Sequence, residues 1–344
     1  MREGVLLTPG EEATWPFTCH CPSVADQSVR LPVVAGKRAW LAVLLAGLLV
    51  WLLAAGVTAI TRDPILIPTL FLIGSFLVPV TVVAFALGRL DDCRLTTNVV
   101  LLGFLAAGTI GVVVSAVTEI YLLPTGAGPL GNAAGFFGVG LIEEVSKGAV
   151  LVAVAWGVRE RTVHGGMVLG ATVGAGFAAF ESAGYAFYAY VQHTDDHPEL
   201  NILQTEVSRA MLAPFGHLTW TALLGGALFA VAAPPKGGFR LTKRLGWTLV
   251  GVAALHGAWD ASYGWAIWIT QGLIGSGWIA DWPDGSYWEV APTQQELWVF
   301  QLMYDGALVV NAAIGVIWVV RSWRRGGRRA GKAPPLTTAP DNAS

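Results

Sequence analysis

Asn132–Trp156, NAAGFFGVGLIEEVSKGAVLVAVAW, is almost wholly apolar except at its middle, where Glu143, Glu144 and Lys147 form the pattern Glu-Glu-x-x-Lys. A helix of this length is long enough to cross a hydrocarbon core of ~30 Å. Charges at such a depth are costly and are rarely kept without a task. The stretch therefore reads as a membrane helix with a polar function at its centre.

The rest of the chain agrees. Of its 344 residues 54% are hydrophobic and 13% charged, with a mean hydropathy of +0.58, whereas a water-soluble globule carries about 25% charged residues. Eight apolar stretches are long enough to span, roughly Trp40–Ile60, Ile65–Leu87, Asn98–Thr118, Asn132–Trp156, Gly165–Tyr190, Ser208–Ala232, Gly246–Leu273 and Leu297–Val320. The first follows a long polar segment, so it reads as a span and not as a cleaved signal peptide. Lys and Arg fall 18 on one side of this arrangement (among them Arg30, Arg38, Arg89, Arg161, Arg240, Lys243, Arg324 and Lys332) and 1, Arg62, on the other. By the positive-inside rule both termini are cytoplasmic. The expected fold is all-α, a polytopic membrane bundle of about eight transmembrane helices. It divides into a cytoplasmic N-terminal arm (1–38), three accessory transmembrane helices (39–130), a four-helix core (131–274), an external loop with the last transmembrane helix (275–321), and a disordered basic cytoplasmic tail (322–344).

Net charge is −2 and the basic residues are dispersed among short loops, which argues against nucleic acid as a partner. The lipid bilayer is the evident one. Cys19, Cys21 and Cys93 fall on the cytoplasmic side and should be reduced thiols. Cys19-His20-Cys21 lacks the ligand number and spacing of a structural zinc site. Of the external loops, Val191–Val207 is acidic and bears histidine, and Ile274–Glu296 holds Trp278, Trp282 and Trp288, aromatics suited to the membrane interface.

Ionisable residues gather in four consecutive spans: Glu143, Glu144 and Lys147, then Glu181, then His217, then His256 with Asp260. Counted from the external end of each span they lie ~14–25 Å deep, so they can meet. Glu143 and Glu144 point about 100° apart, and Lys147 is within reach of either. One carboxylate is expected to be neutralised by Lys147 while the other faces a cavity, where it can do general acid/base work. Gly170, Gly174, Phe177, Glu181 and Tyr185 share one helical stripe; its small residues let a neighbouring helix approach and bring Glu181 inside. Pro214 loosens the turn before His217. His256 and Asp260, four residues apart, share a face, so the aspartate can fix the imidazole tautomer. Asp305 and Arg209 read as structural or interfacial charges outside the site.

This order, Glu-Glu-x-x-Lys, Phe177-x-x-x-Glu181, a lone intramembrane His217 and His256-x-x-x-Asp260, resembles the PrsW family of intramembrane proteases. That family is grouped with the type II CAAX-prenyl endopeptidases and the CPBP (Abi-like) proteins. The resemblance covers roughly Gly131–Ile274. The prenyl endopeptidases instead carry Glu-Glu-x-x-x-Arg and Phe-x-x-x-His, so prenylated substrates are not expected. The resemblance implies cleavage of a peptide bond in a membrane-protein substrate, a single-span protein such as an anti-sigma factor, in a bacterial inner membrane. It also implies roles. Glu143 or Glu144 would activate water, His217 and His256 would polarise the scissile carbonyl, Asp260 would orient His256, and Glu181 would hold the water or bind a metal. Lys147 and Tyr185 would be supporting residues.

Two chemistries fit these residue types. A catalytic zinc needs three protein ligands and an open position, which Glu181, His217 and His256 could supply. A metal-free glutamic mechanism needs a positioned carboxylate and donors for the oxyanion. Lys147 is an unwelcome cation beside a metal, and no H-E-x-x-H is present, so the expected cofactor is none, with one Zn2+ as the alternative. Outside proteolysis, intramembrane acids and histidines also mark ion- or proton-coupled transporters, which would spread them from face to face. A non-catalytic scaffold that holds a partner helix is the remaining alternative.

Overall fold

A computed structural model of the chain describes residues 38–90, 95–123, 129–158, 161–192, 198–230, 238–274, 279–281, 285–287 and 292–330. The Cys19-His20-Cys21 reading, Cys93, Trp278, Trp282, Trp288 and the tail from residue 331 lie outside the described residues.

The expected helical bundle is present. In order it contains α1 (Ala39–Thr61), α2 (Ile67–Leu87), α3 (Thr97–Ala106), α4 (Val112–Leu122), α5 (Pro129–Ala155), α6 (Val163–Gln192), α7 (Pro198–Leu212), α8 (His217–Ala230), α9 (Lys243–Asp260), α10 (Ser262–Ile274) and α11 (Gln294–Ala330). One departure from all-α is a small antiparallel hairpin between β1 (Ile279–Asp281) and β2 (Gly285–Tyr287), in the loop before α11. Among the described residues six segments are long and apolar enough to cross a membrane: Ala39–Thr61, Pro64–Leu87, Thr97–Leu122, Val163–Gln192, Glu199–Ala230 and Gln294–Gly326. This is therefore a multi-pass membrane protein. The two other stretches expected to span are α5, and α9 with α10. They are set apart by charge: α5 holds Glu143, Glu144 and Lys147, and α9 holds Lys243, Arg244 and Asp260.

Three of the expected spans are not simple helices. The third changes to π-helix over Ala107–Gly111 between α3 and α4 and runs on to Leu122, so it includes Glu119. The sixth is broken. α7 takes up much of the acidic segment that reads in sequence as an external loop, a 3₁₀ turn follows at Ala213–Phe215, and Gly216 (φ −93°, ψ −122°) leaves helical geometry before α8 starts at His217. Pro214 has no N–H to give the preceding turn, and its carbonyl accepts from Thr219 Oγ1 at 2.7 Å. The seventh is interrupted at Ala261, between α9 and α10. The last helix is longer than expected: α11 opens with a capping box, Thr293 N–H to Glu296 Oε2 at 2.7 Å and Glu296 N–H to Thr293 Oγ1 at 3.3 Å, and continues to Ala330, into the segment expected to be disordered.

Small residues set how closely the central helices pack. On α6, a Cβ at Gly166, Gly170 or Gly174 would strike the backbone carbonyls of Gly225, Thr221 and His217 on α8. On α5, a Cβ at Gly140 would lie 2.6 Å from the Ala253 carbonyl and 3.0 Å from the His256 Cβ, and Gly257 of α9 meets the backbone of Phe136 and Phe137 in return. Helices that touch backbone to backbone hold their side chains at fixed heights, as interfaces built on small residues do in membranes. The side chains brought level by these two contacts are Glu143, Glu144, His217 and His256. The Gly170/Gly174 stripe thus does what its spacing predicts.

Candidate active site

Lys147 is the centre of the cluster. It is fully buried, with Nζ 2.7 Å from Glu144 Oε1, 3.2 Å from Glu143 Oε2 and 2.8 Å from His217 Nδ1. Its Nζ also lies 4.2 Å from the centre of the Phe177 ring. An ammonium can only donate, so His217 Nδ1 accepts and the ring proton sits on Nε2. That nitrogen donates to Glu181 Oε2 at 3.0 Å. Both ring nitrogens of His217 are thereby engaged.

The two adjacent glutamates differ as their 100° separation requires. The Glu144 side chain is completely buried, with Oε1 3.2 Å from His256 Nδ1 and Oε2 3.5 Å from Thr221 Oγ1. The Glu143 side chain keeps 9% of its surface exposed, and its Oε2 lies 3.6 Å from His256 Nε2 and 3.8 Å from His217 Nδ1. Asp260 Oδ2 is 3.5 Å from His256 Nε2, the i,i+4 contact expected. It is the looser of two: Glu144 holds the other nitrogen more closely. Trp220 stacks on the His256 ring at 4.5 Å between centroids and, with the edge-on His217 ring at 4.9 Å, fixes its plane.

Glu181 is held from two sides. Besides His217, it accepts from Arg209 Nη2 at 2.6 Å, while Arg209 Nε donates to Ser182 Oγ at 2.7 Å and the guanidinium lies 4.3 Å from the Tyr185 ring centre. Arg209 reads in sequence as a charge outside the site, and the structure makes it Glu181's partner. The signal lay in charge balance: Glu181 needed a cation, and after Lys147 is assigned Arg209 is the remaining basic residue within or near a span. Its position was hidden by the unforeseen break that makes α7 a separate helix. Trp220 carries no such signal in sequence. Asp305 stays apart, accepting from Gln301 Nε2 at 2.8 Å on α11.

Every residue expected in the site is thus in one connected network, from Arg209 through Glu181, His217, Lys147, the two glutamates and His256 to Asp260, with Tyr185 on its flank. Among the described residues one group could hold a metal ion: Glu143, His217 and His256 offer ligand atoms all within 4.8 Å of one another. That set has the number and type of donors of a catalytic zinc site. It differs from the expected one in having Glu143 where Glu181 stood.

A family model described as PrsW family intramembrane metalloprotease matches residues 92–280. No curated protein and no solved structure matches the chain. The family match takes in more than half of the sequence, with every residue of the network inside it, and the chain accordingly belongs to the PrsW family of intramembrane proteases.

Proposed function

We propose that Glu143 is the general base of an intramembrane endopeptidase. One observation carries this: of the two adjacent carboxylates, Glu143 keeps part of its surface exposed with its Oε2 near both histidines, and Glu144 is sealed against Lys147 and His256. Glu143 takes a proton from water as the water oxygen adds to the scissile carbonyl carbon. When the tetrahedral intermediate collapses, the C–N bond breaks and Glu143 returns the proton to the departing nitrogen. His256 is the donor best placed for the oxyanion, with Glu144 and Asp260 setting its orientation and Trp220 its plane. His217, engaged at both nitrogens, bridges Lys147 to Glu181 and fixes that side of the site. Lys147 is an electrostatic anchor.

A metal-dependent variant is favoured by the Glu143, His217 and His256 group. Those residues would hold a zinc ion, which when bound would supply a water of pKa about 7. Lys147 would first have to release His217 Nδ1, 2.8 Å away, and for that reason the metal-free glutamic route is the one proposed. Activity of purified protein before and after chelation, with bound metal quantified, tests it. Full activity at far less than one equivalent of metal is expected, and activity that follows zinc content overturns it.

In this reading α5 and the α9–α10 pair cross the bilayer with the six apolar segments, giving eight crossings and cytoplasmic termini, as the 18-to-1 distribution of basic residues supports. The substrate is a single-span membrane protein, for example an anti-sigma factor, in a bacterial inner membrane. α1 to α4, which make up the first three spans, are accessory to a core that ends with α10. The motif order further supports kinship with the CAAX-prenyl endopeptidases and CPBP proteins. Co-expression with candidate single-span proteins tests the activity: cleavage should be lost in Glu143→Ala, and cleavage that survives in Glu143→Ala, Glu144→Ala and His217→Ala alike contradicts it.

A further inference from the structure

One face of the third span, Gly111 at the end of the π-helical segment with Ser115 and Glu119 on α4, recurs every four residues and turns toward the catalytic helices. A Cβ at Gly111 would sit 3.4 Å from the Phe177 ring and 3.9 Å from Val150, and Phe177 is the ring beneath Lys147 and beside His217. At the other end of the contact, the Leu123 side chain lies over Gly138 of α5. The two contacts agree on one antiparallel register, since each step along the chain from Gly111 to Leu123 is one step back along α5 from Val150 to Gly138. Ser115 is then level with Ser146, and Glu119 with Ile142, next to Glu143. Ser115 is 2% exposed, and its Oγ and Glu119 Oε1 are both buried without a hydrogen-bond partner among the described residues.

The other carboxylates here have cationic or imidazole partners. Glu143 and Glu144 have Lys147, Glu181 has Arg209 and His217, and Asp260 has His256. Among the described residues Glu119 makes no ion pair, and its Oε1 has no hydrogen-bond partner. An apolar setting makes an unmatched carboxylate costly, and a positive group arriving with a ligand would relieve that cost. We propose that Glu119 determines specificity by receiving a lysine or arginine side chain of the substrate, within about one helical turn of the scissile bond and on the side toward the C-terminal end of α4. The proposal rests on the protease reading of the site, and it assigns a substrate contact to a helix outside the four that carry the catalytic groups.

The test uses fluorescent single-span peptides, identical except for one Lys, Gln or Glu moved along the flanking turn. They are titrated against wild-type protein, E119Q and E119K in lipid nanodiscs, and cleavage of each is followed separately by mass spectrometry. The best Lys peptide should bind wild type about tenfold more tightly than its Gln counterpart, the worth of one charge-assisted contact. E119Q, which is isosteric, should lose that preference and E119K should reverse it in favour of Glu. Equal binding of Lys and Gln peptides to wild type at all positions, or a Lys preference that persists in E119Q, overturns the assignment. Selective binding that depends on Glu119 with no cleavage of any peptide upholds the assignment and overturns the protease reading alone.

Discussion

α1 and α6 are both long enough to span a bilayer, yet 6% of α1's apolar window is buried against 83% of α6's. α1 presents Leu45, Leu49 and Leu53 outward, each more than half exposed, and meets the bundle through α2 and one polar tie, Trp51 Nε1 to Glu206 Oε2 of α7 at 2.7 Å. α6 is surrounded and carries glycines where α1 carries leucines. Lipid is as apolar as leucine, so hydrophobicity does not draw membrane helices together; close backbone packing and interhelical polar contacts do. The more buried of the two is therefore the one with small residues and a charge, and its Glu181 joins the polar network.

Substitutions can break that contrast or sharpen it. The largest effect on stability is expected at Lys147, whose removal in Lys147→Met leaves two buried carboxylates without their cation, a loss of about 3–5 kcal/mol. Thermal unfolding in detergent reads it, and a change under 1 kcal/mol would show that the network is not what holds α5, α6 and α8 together. Gly174→Ala comes next. The new Cβ meets the His217 carbonyl, so a destabilisation of about 1–3 kcal/mol should be accompanied by reduced cleavage, because His217 itself must shift. Arg209→Leu should lower cleavage about tenfold by freeing Glu181, with partial recovery in Arg209→Lys; equal activity in all three proteins would make the α7 contact incidental. Smallest of all is Gly56→Ala in α1, where a Cβ would meet nothing within 4 Å, and stability should stay within about 0.5 kcal/mol. A Gly56→Ala penalty as large as that of Gly174→Ala would remove the distinction between rim and core.

The sequence carried the parts of this molecule that depend on local composition. α1, α2, α6 and the start of α11 begin and end within a few residues of the apolar stretches that announce them, since hydrophobic length is a property of the segment alone. The convergence of Glu143, Glu144, Glu181, His217, His256 and Asp260 was also legible, because each lies at a countable depth in its span. What escaped depends on how segments meet. The break at Gly216 brings the His217 carbonyl against Gly174 of a neighbouring helix, a contact between segments, and read without the break α7 merges into one long span with Arg209 near its outer end. Glu119 lies one residue beyond Thr118, where the apolar run ends in sequence, while the helix itself continues to Leu122. The choice between Glu143 and Glu144 needed the helix rotation that the Gly140 to Gly257 contact fixes.

The central claim is that Glu143 does the chemistry and Glu144 holds the site together. Its most direct measurement is the cleavage of a single-span substrate in proteoliposomes by wild type and by Glu143→Gln, with the folded state of each protein checked by thermal unfolding and the products identified by mass spectrometry. The account expects Glu143→Gln to fold with nearly wild-type stability and to cut at least about a thousandfold more slowly, the upper part of the range for one catalytic proton transfer. A folded Glu143→Gln that cuts the same bond at a rate near wild type would contradict it.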